Sequence, residues 1–310
     1  MEISATTVKA LRERTGAGMM ECKKALITTA GDIEKAIDLM RTSGIAKAAI
    51  KANRIAAEGV IAVCHDHQSH DQQRRAPGLA AMVEVNCETD FVSRGDDFQA
   101  FAEAVAACVL RHRPIDLAGL LALPLADGGD PVESARGGLI VKIGENITVR
   151  RFALMSAPED GRVGVYRHGT RIGVLVALQG GDVATDLAKD IAMHIAWSRP
   201  VCISEADVPQ ALMDREREIF KAQAAQTAKE TGKPPQVVEK IVAGKIEKFL
   251  NEVTLLGQPF VKAPDKTPVA RILADAKATV RGFERFEVGE GIQKKADTFA
   301  AEVMAAARGE

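Results

Sequence analysis

The sequence predicts an α+β fold, and three observations carry that expectation. Short helical segments with a three-to-four-residue apolar period open the chain, strand-like runs follow from residue 60, and a β-β-α-β pattern then recurs in the second half. The fold expected in full is an N-terminal three-helix bundle, a two-part α+β core with antiparallel sheets, an inserted helical hairpin and a C-terminal helix.

The opening 60 residues divide at glycines. Ser4 caps a first helix that ends near Thr15-Gly16, and a second runs from about Met19 to Thr29. Gly31-Asp32 stops that helix and caps a third, Ile33 to Ser43, which Gly44 ends. Ile33, Ala36, Ile37 and Met40 give the third helix one apolar face, so the three form a compact bundle. Ile45 to Glu58 reads as a basic linker helix (Lys47, Lys51, Arg54).

The period then changes. Val60–Val63 and Ala80–Val85 are strand-like, and His65 to Pro77 between them is a polar hairpin tip. A helix follows from Asp96 or Asp97 to about Arg111, with Phe98, Phe101, Ala102, Val105 and Val109 inward; a helical connection through Val141 leads to a strand, Ile147 to Leu154. Gly164–Tyr166 and Ile172–Leu178 are the next strands, Val183 to Trp197 a helix, and Gly282–Val288 a late strand. Both core helices end in Arg-Pro, and Val149–Phe152 is paired with Phe283–Phe286 as the mark of two related halves.

The inserted hairpin has arms Val208–Thr231 and Pro235–Val253, because the prolines of Gly232-Lys-Pro-Pro235 forbid one continuous helix. Val238, Val242, Ile246, Phe249 and Val253 form a stripe on the second arm; Leu212, Ile219 and Ala222 are assigned to the first. With 9 acidic and 8 basic residues from Glu205 to Glu252, the other faces are solvated. Such an arm buries little by itself, which leaves a partner contact or self-association open. Gly291 to Gly309 is expected to be a final helix with Phe299 and Val303 inward. The corresponding divisions are 1–55, 56–158, 159–290 with the insertion at 204–253, and 291–310.

Composition limits the function. A formal net charge of -1 argues against a nucleic-acid binder working by bulk electrostatics. No stretch approaches the roughly 20 apolar residues a membrane span needs, and the N-terminus lacks the basic start and apolar run of a secretory signal. Five cysteines without a C-x-x-C pair fit a reduced, cytoplasmic protein.

No motif announces an enzyme. Thr15-Gly-Ala-Gly18 precedes Lys23 and Lys24, but the Walker pattern is absent and the glycines serve to break helix from helix. Gly289-Glu-Gly291 is a strand-to-helix turn. His65, His67 and His70 with Asp66 and Asp71 could hold a metal, yet a hairpin tip offers no second-shell support, and a solvated loop accounts for them. Cys22 reads as packing, and Cys87 has no base nearby in sequence. Neither a metal site nor a cofactor is expected.

Three segments stand out instead. Met19 and Met20 are adjacent on a short helix and cannot both point inward; the second is an exposed contact residue or merely half-buried. Asn86–Val92 lies between strand and helix, so Thr89 to Arg94 is expected to be a loop, and Phe91 either folds back as a plug or projects as a wedge. Lys142-Ile-Gly-Glu-Asn146 is a helix end at which Gly144 permits a positive φ.

Leu11–Leu26 closely resembles the N-terminal signature of the bacterial elongation factor Ts family, and Asn86–Val92 its T-D-F-V loop. Lys142–Asn146, Ile191–His194, Gly257–Phe260 and Phe286–Gly291 match in order, so the resemblance spans nearly the whole chain. It implies a ubiquitin-associated-like bundle, a coiled-coil hairpin, and a guanine-nucleotide exchange factor for the GTPase elongation factor Tu, with no nucleotide site of its own. It further implies that Arg12, Met19, Met20 and Lys23 contact the partner's nucleotide-binding domain. Thr89, Asp90, Phe91 and Val92 would form the magnesium-displacing loop, with Asp90 and Phe91 inserted. Ile143 and Gly144 would press near the partner's phosphate loop, and His168 would meet a further domain. The tip 65–77 departs from the family pattern, being longer and richer in histidine. Two other readings stay in play: an adaptor that binds without releasing nucleotide, and a metal-dependent hydrolase built on the histidines.

Overall fold

A computed structural model describes residues 3–66, 78–180, 185–231 and 234–293. It is an α+β structure with two separate three-stranded antiparallel sheets.

Helix α1 (Ala5–Thr15) starts where the Ser4 side chain accepts from the Thr7 N–H, and ends at Gly16, φ 66°. Helix α2 (Met19–Thr28) follows, and the Asp32 carboxylate caps α3 (Ile33–Lys51) by accepting from the Lys35 N–H. The three pack around Leu11, Cys22, Leu26 and Ala36, with Ile33, Ile37 and Met40 against that cluster. Gly44 does not end the third helix. The helix runs on to Lys51, and the residues from Arg54 to Ala57 are not helical. Gly44 is instead a packing glycine: a Cβ there would lie 3.3 Å from the Gly137 carbonyl oxygen of a second helix. Sequence alone cannot separate a glycine that stops a helix from one that admits a neighbour.

The first sheet has the order β1 (Glu58–His65), β2 (Leu79–Cys87), β3 (Thr148–Ser156). Between β2 and β3 lie the short α4 (Asp90–Ser93), then α5 (Asp96–His112), α6 (Leu117–Ala122) and α7 (Val132–Ile143). The second sheet has β4 (Gly161–His168), β5 (Ile172–Gln179) and β6 (Thr279–Glu287), with α8 (Thr185–Ser198) after β5. Both central strands are covered on two faces, which explains their largely apolar runs, interrupted on β2 by the buried Glu84 and Asn86. On β2, Ala81, Val83, Val85 and Cys87 meet α5, while Ala80 and Met82 point the other way. On β5, Val174, Val176 and Leu178 meet α8, while Leu175 joins Ile61, Met82 and Phe286 between the sheets. The layers therefore run helix, sheet, sheet, helix.

The halves repeat more closely than the sequence pairing suggested, and in a different register. Each outer pair carries a bulge, at Glu84/Val85 against β3 and at Ala177/Leu178 against β6. The bulged residues are Arg150 and Arg281, so Val149–Phe152 corresponds to Val280–Phe283, three residues from the expected match. Gly59 and Gly161 support this: a Cβ on either would sit 2.1 Å from the carbonyl oxygen of Val85 or Leu178, the central-strand residues at the two register shifts. Arg113 and Arg199 close the core helices with φ of 51° and 49°. Isolated bridges Pro124–Pro131 and Pro259–Pro268 then introduce α7 and α11 (Val269–Asp275).

The insertion is a pair of helices, α9 (Gln210–Thr231) and α10 (Pro235–Val253), preceded by a 3-10 turn at Glu205–Asp207. The α10 stripe is half-buried as expected. On α9, Ile219 and Ala222 are exposed; Phe220 and Ala224 face α10, with Phe220 edge-on to Phe249 at 6.2 Å. The final helix expected from 291 lies, after Gln293, outside the described residues, as do His67, His70, Asp71 and the Gly232-Lys233 part of the turn.

Two of the matched motifs prove to be core. His194 on α8 accepts from the Val261 N–H at Nδ1 (3.2 Å), which leaves its proton on Nε2 facing Gln258 Oε1 at 3.0 Å. Burial pulls its pKa below the ordinary value, partly offset by the Gln258 bond. The unfolded chain therefore takes up this proton first as pH falls past about 6.5. Stability present above that pH is lost as pH drops toward the folded pKa. The unfolding free energy from urea titration is expected to fall between about pH 7.5 and about pH 5.5, by at most ~1.4 kcal/mol per pH unit from this group. His194→Gln should remove that portion of the slope, as measured by paired urea titrations.

Candidate functional site

The segments at 86–92 and 142–146 come together. The loop expected at Thr89 to Arg94 is in fact a single helical turn, α4, because Thr89 is a good cap: its hydroxyl accepts from the Val92 N–H at 3.4 Å. A four-residue helix is too short to leave a period in sequence. The turn is held by Glu145, which follows Gly144, the α7 stop with φ 91°. One carboxylate oxygen of Glu145 accepts from the N–H groups of Glu88 (3.1 Å) and Thr89 (3.0 Å), and the other from the Thr89 hydroxyl (2.7 Å). The exchange is reciprocal. The Glu88 carboxylate accepts from the Asn146 N–H at 2.6 Å and pairs with Arg54 at 3.1 Å. Lys51 donates to the Gly144 carbonyl, and the Asn146 side-chain amide donates to the Arg54 carbonyl.

On this clamped base Phe91 stands 83% exposed. The plug reading is therefore removed, and the ring faces solvent. Asp90 pairs with Arg94 at 2.9 Å along the same turn, while Val92 packs inward on the first-half core. Ile143 is half-buried against that core and Gly144 is exposed. An exposed phenylalanine leaves about 1.5–3 kcal/mol of burial unrealised. A rigid turn presenting such a ring is suited to entering an apolar groove.

The N-terminal bundle adds a second patch. Met20 is 65% and Met19 43% exposed, and Ile27 extends the same face of α2. Arg12 and Lys23 are exposed beside them. The turn before α2 adjoins the 142–146 segment: a Cβ on Gly16 would lie 3.7 Å from the Lys142 side chain, and Lys142 pairs with Asp97 at 2.7 Å. His168 lies elsewhere, at the end of β4, with Nδ1 3.3 Å from the Tyr166 hydroxyl. It is not among the residues whose hydrogen bonds hold the turn.

The cysteine candidates resolve as structure, while His67, His70 and Asp71 of the histidine cluster lie outside the described residues. Cys22 is buried among the bundle helices. The Cys87 thiol donates to the Thr89 carbonyl, and burial, helped by Glu145 and Glu58, pushes its pKa up to about 12, far from a thiolate at neutral pH. Asp66 closes the β1–β2 hairpin by accepting from the Leu79 N–H at 2.8 Å. Among the described residues no group of three or more side chains could hold a metal ion, and no helix is long and apolar enough to cross a membrane.

Glu145 and Glu88 were not singled out from sequence, and Arg54 only as part of a basic linker. Two of them sit inside the matched motifs, but their partners are 56–58 residues away for Glu145 and Glu88. Glu145→Ala is expected to leave the Glu88 and Thr89 amides unsatisfied, at a cost of about 1–3 kcal/mol. Their hydrogen exchange should then accelerate by roughly 5- to 150-fold, measured by NMR, with the other strand amides unchanged.

A family model described as Elongation factor TS matches residues 88–290, a span that includes the turn, Ile143-Gly144 and His168 but not the methionine patch. Among curated proteins, the chain is 58% identical over 309 residues to elongation factor Ts of Thioalkalivibrio sulfidiphilus, covering 100% of both chains. It is 50% identical over 309 residues to that of Alkalilimnicola ehrlichii, again over 100% of both. The protein of the same name from Methylococcus capsulatus is 54% identical over 308 residues, 99% of each chain.

Proposed function

Because the chain belongs to the elongation factor Ts family of translation factors, we propose that it is a guanine-nucleotide exchange factor that releases GDP from elongation factor Tu in the cytoplasm. The observation that carries the mechanism is Phe91, exposed on a turn clamped by Glu145. Exchange of this kind makes and breaks no covalent bond. The factor binds the empty GTPase best, and linkage then obliges it to weaken nucleotide binding by the same coupling energy.

In this reading Phe91 wedges apart packed elements near the partner's magnesium site, and Thr89 and Val92 hold the turn that carries it. Asp90, tied to Arg94, keeps the turn in register. Displacing the magnesium removes charge neutralisation from the phosphates. Ile143 and Gly144 press near the phosphate loop, and Met19 and Met20, flanked by Arg12 and Lys23, dock on the nucleotide-binding domain. Adaptable methionine surface suits that contact. His168 meets a further domain. The working units are 1–55, a ubiquitin-associated-like bundle; 56–158; 159–290, with a coiled-coil hairpin inserted at 204–253; and 291–310. The hairpin is the surface available for self-association. Calorimetric titration of elongation factor Tu with this protein at increasing GDP tests the linkage. Apparent affinity should fall in proportion to nucleotide saturation; affinity independent of GDP supports an adaptor instead.

A further inference from the structure

Glu84 is a fully buried carboxylate in the middle of β2, and its partners come from both halves. Oε1 accepts from Arg150 Nη1 (3.0 Å), from the Asn86 side-chain amide (3.1 Å) and from the Gly289 N–H (2.8 Å) of the second half. Oε2 accepts from Arg151 Nε at 2.6 Å. The same arginines reach onward. Arg150 donates to the Glu290 carbonyl at 2.6 Å, and Arg151 reaches the Glu290 carboxylate at 3.3 Å. The Arg151 guanidinium also stacks over the Phe286 ring, 4.2 Å from its centre. Gly289 is needed for this approach: a Cβ at its φ of 74° would lie 2.3 Å from the Ala57 carbonyl oxygen.

A buried ion cluster adds little net stability compared with apolar packing of the same shape. The sheet-to-sheet contact around Met82, Leu175 and Phe286 already supplies apolar packing. What directed hydrogen bonds add is a fixed register between surfaces that could otherwise slide. Five residues beyond Glu84 on the same chain stands Thr89, the cap of the Phe91 turn. The second half ends at the latch and carries His168 on β4.

We infer that Glu84 is a positioning residue that latches the 286–290 segment to the strand leading into the Phe91 turn, so that docking of the second half on the partner drives the wedge. The inference rests on the exchange reading above. Burial disfavours the charged carboxylate, but the Gly289 and arginine hydrogen bonds outweigh it and hold the pKa below the usual range, so the charge persists at neutral pH.

The test uses full-length Glu84→Gln, alone and combined with Phe91→Ala, titrated against elongation factor Tu loaded with a fluorescent GDP analogue. Maximum release rate and half-saturating concentration are read separately, after circular dichroism establishes folding. The latch predicts a loss of about tenfold in maximum rate with half-saturation moved by less than about threefold. It also predicts that Phe91→Ala costs little more in that background. A role confined to folding would leave the full Phe91→Ala effect in place. A wild-type maximum rate in Glu84→Gln, or additive losses, overturns the inference. Should Glu84→Gln not fold, Arg150→Ala, partly solvent-exposed, opens the same latch and must show the same non-additivity. Failure of the unmodified protein to release nucleotide would instead overturn the exchange reading.

Discussion

Phe91→Ala is expected to slow nucleotide release from elongation factor Tu by roughly 30-fold or more, the effect of losing about 2 kcal/mol at an interface hot spot. The protein's own stability should change by no more than about 0.5 kcal/mol, because the ring is already 83% exposed and nothing in the fold depends on it. The two readouts must separate. Stopped-flow release measures the first, and urea denaturation the second. A large stability loss would mean that the ring packs inside the protein in solution, and the wedge would fail with it. Asp90→Ala should give a smaller loss, since its carboxylate pairs with Arg94 along the turn and offers less apolar contact than the Phe91 ring.

The largest effect on stability is expected at Gly173. This residue lies on β5 where the two sheets face each other, and a Cβ there would sit 2.5 Å from both Ile61 Cγ2 and Met82 Sδ. Gly173→Val forces the sheets apart or the side chains off their rotamers. Overpacking of this kind costs about 3 kcal/mol or more. For a chain of 310 residues that is roughly 5 °C or more in melting temperature, read by calorimetry. Met82→Ala in the same chain should recover part of the loss by making room. If Gly173→Val melts like the parent, the sheets are not packed face to face at this point.

Much of this architecture was readable from the residues. Helix α5 shows its buried stripe from Phe98 to Val109, and the runs Ala80–Val85 and Ile172–Leu178 marked the two central strands. The errors have a common origin in distance along the chain. Gly44 reads locally as a stop, but its reason for being glycine is Gly137, on another helix. Ile219 and Ala222 are apolar and correctly spaced, yet the arm turns Phe220 inward because Phe249 waits there on α10. The halves were paired three residues out of register because two Phe-containing strands look alike until the bulges are located.

The candidate site divides in the same way. Phe91 was conspicuous as an aromatic residue between strand and helix, and its exposure agrees with the wedge alternative. Glu145 was invisible as a clamp, since its hydrogen bonds go to Glu88 and Thr89 across more than fifty residues. Glu84 left a signal that could have been used: a charge inside the run Ala80–Val85 must be either a solvent face or a paired buried group. Two arginines at 150 and 151 on the adjacent strand decide for the second.

The measurement that bears most directly on the exchange mechanism is release of a fluorescent GDP analogue from elongation factor Tu, chased with excess unlabelled GDP, at substoichiometric amounts of this protein. Multiple-turnover acceleration, lost on replacing Asp90 and Phe91 together with alanine in a protein that keeps its fold, is the result the account predicts. Unaccelerated release with both proteins folded, or acceleration that the double replacement leaves intact, would contradict it.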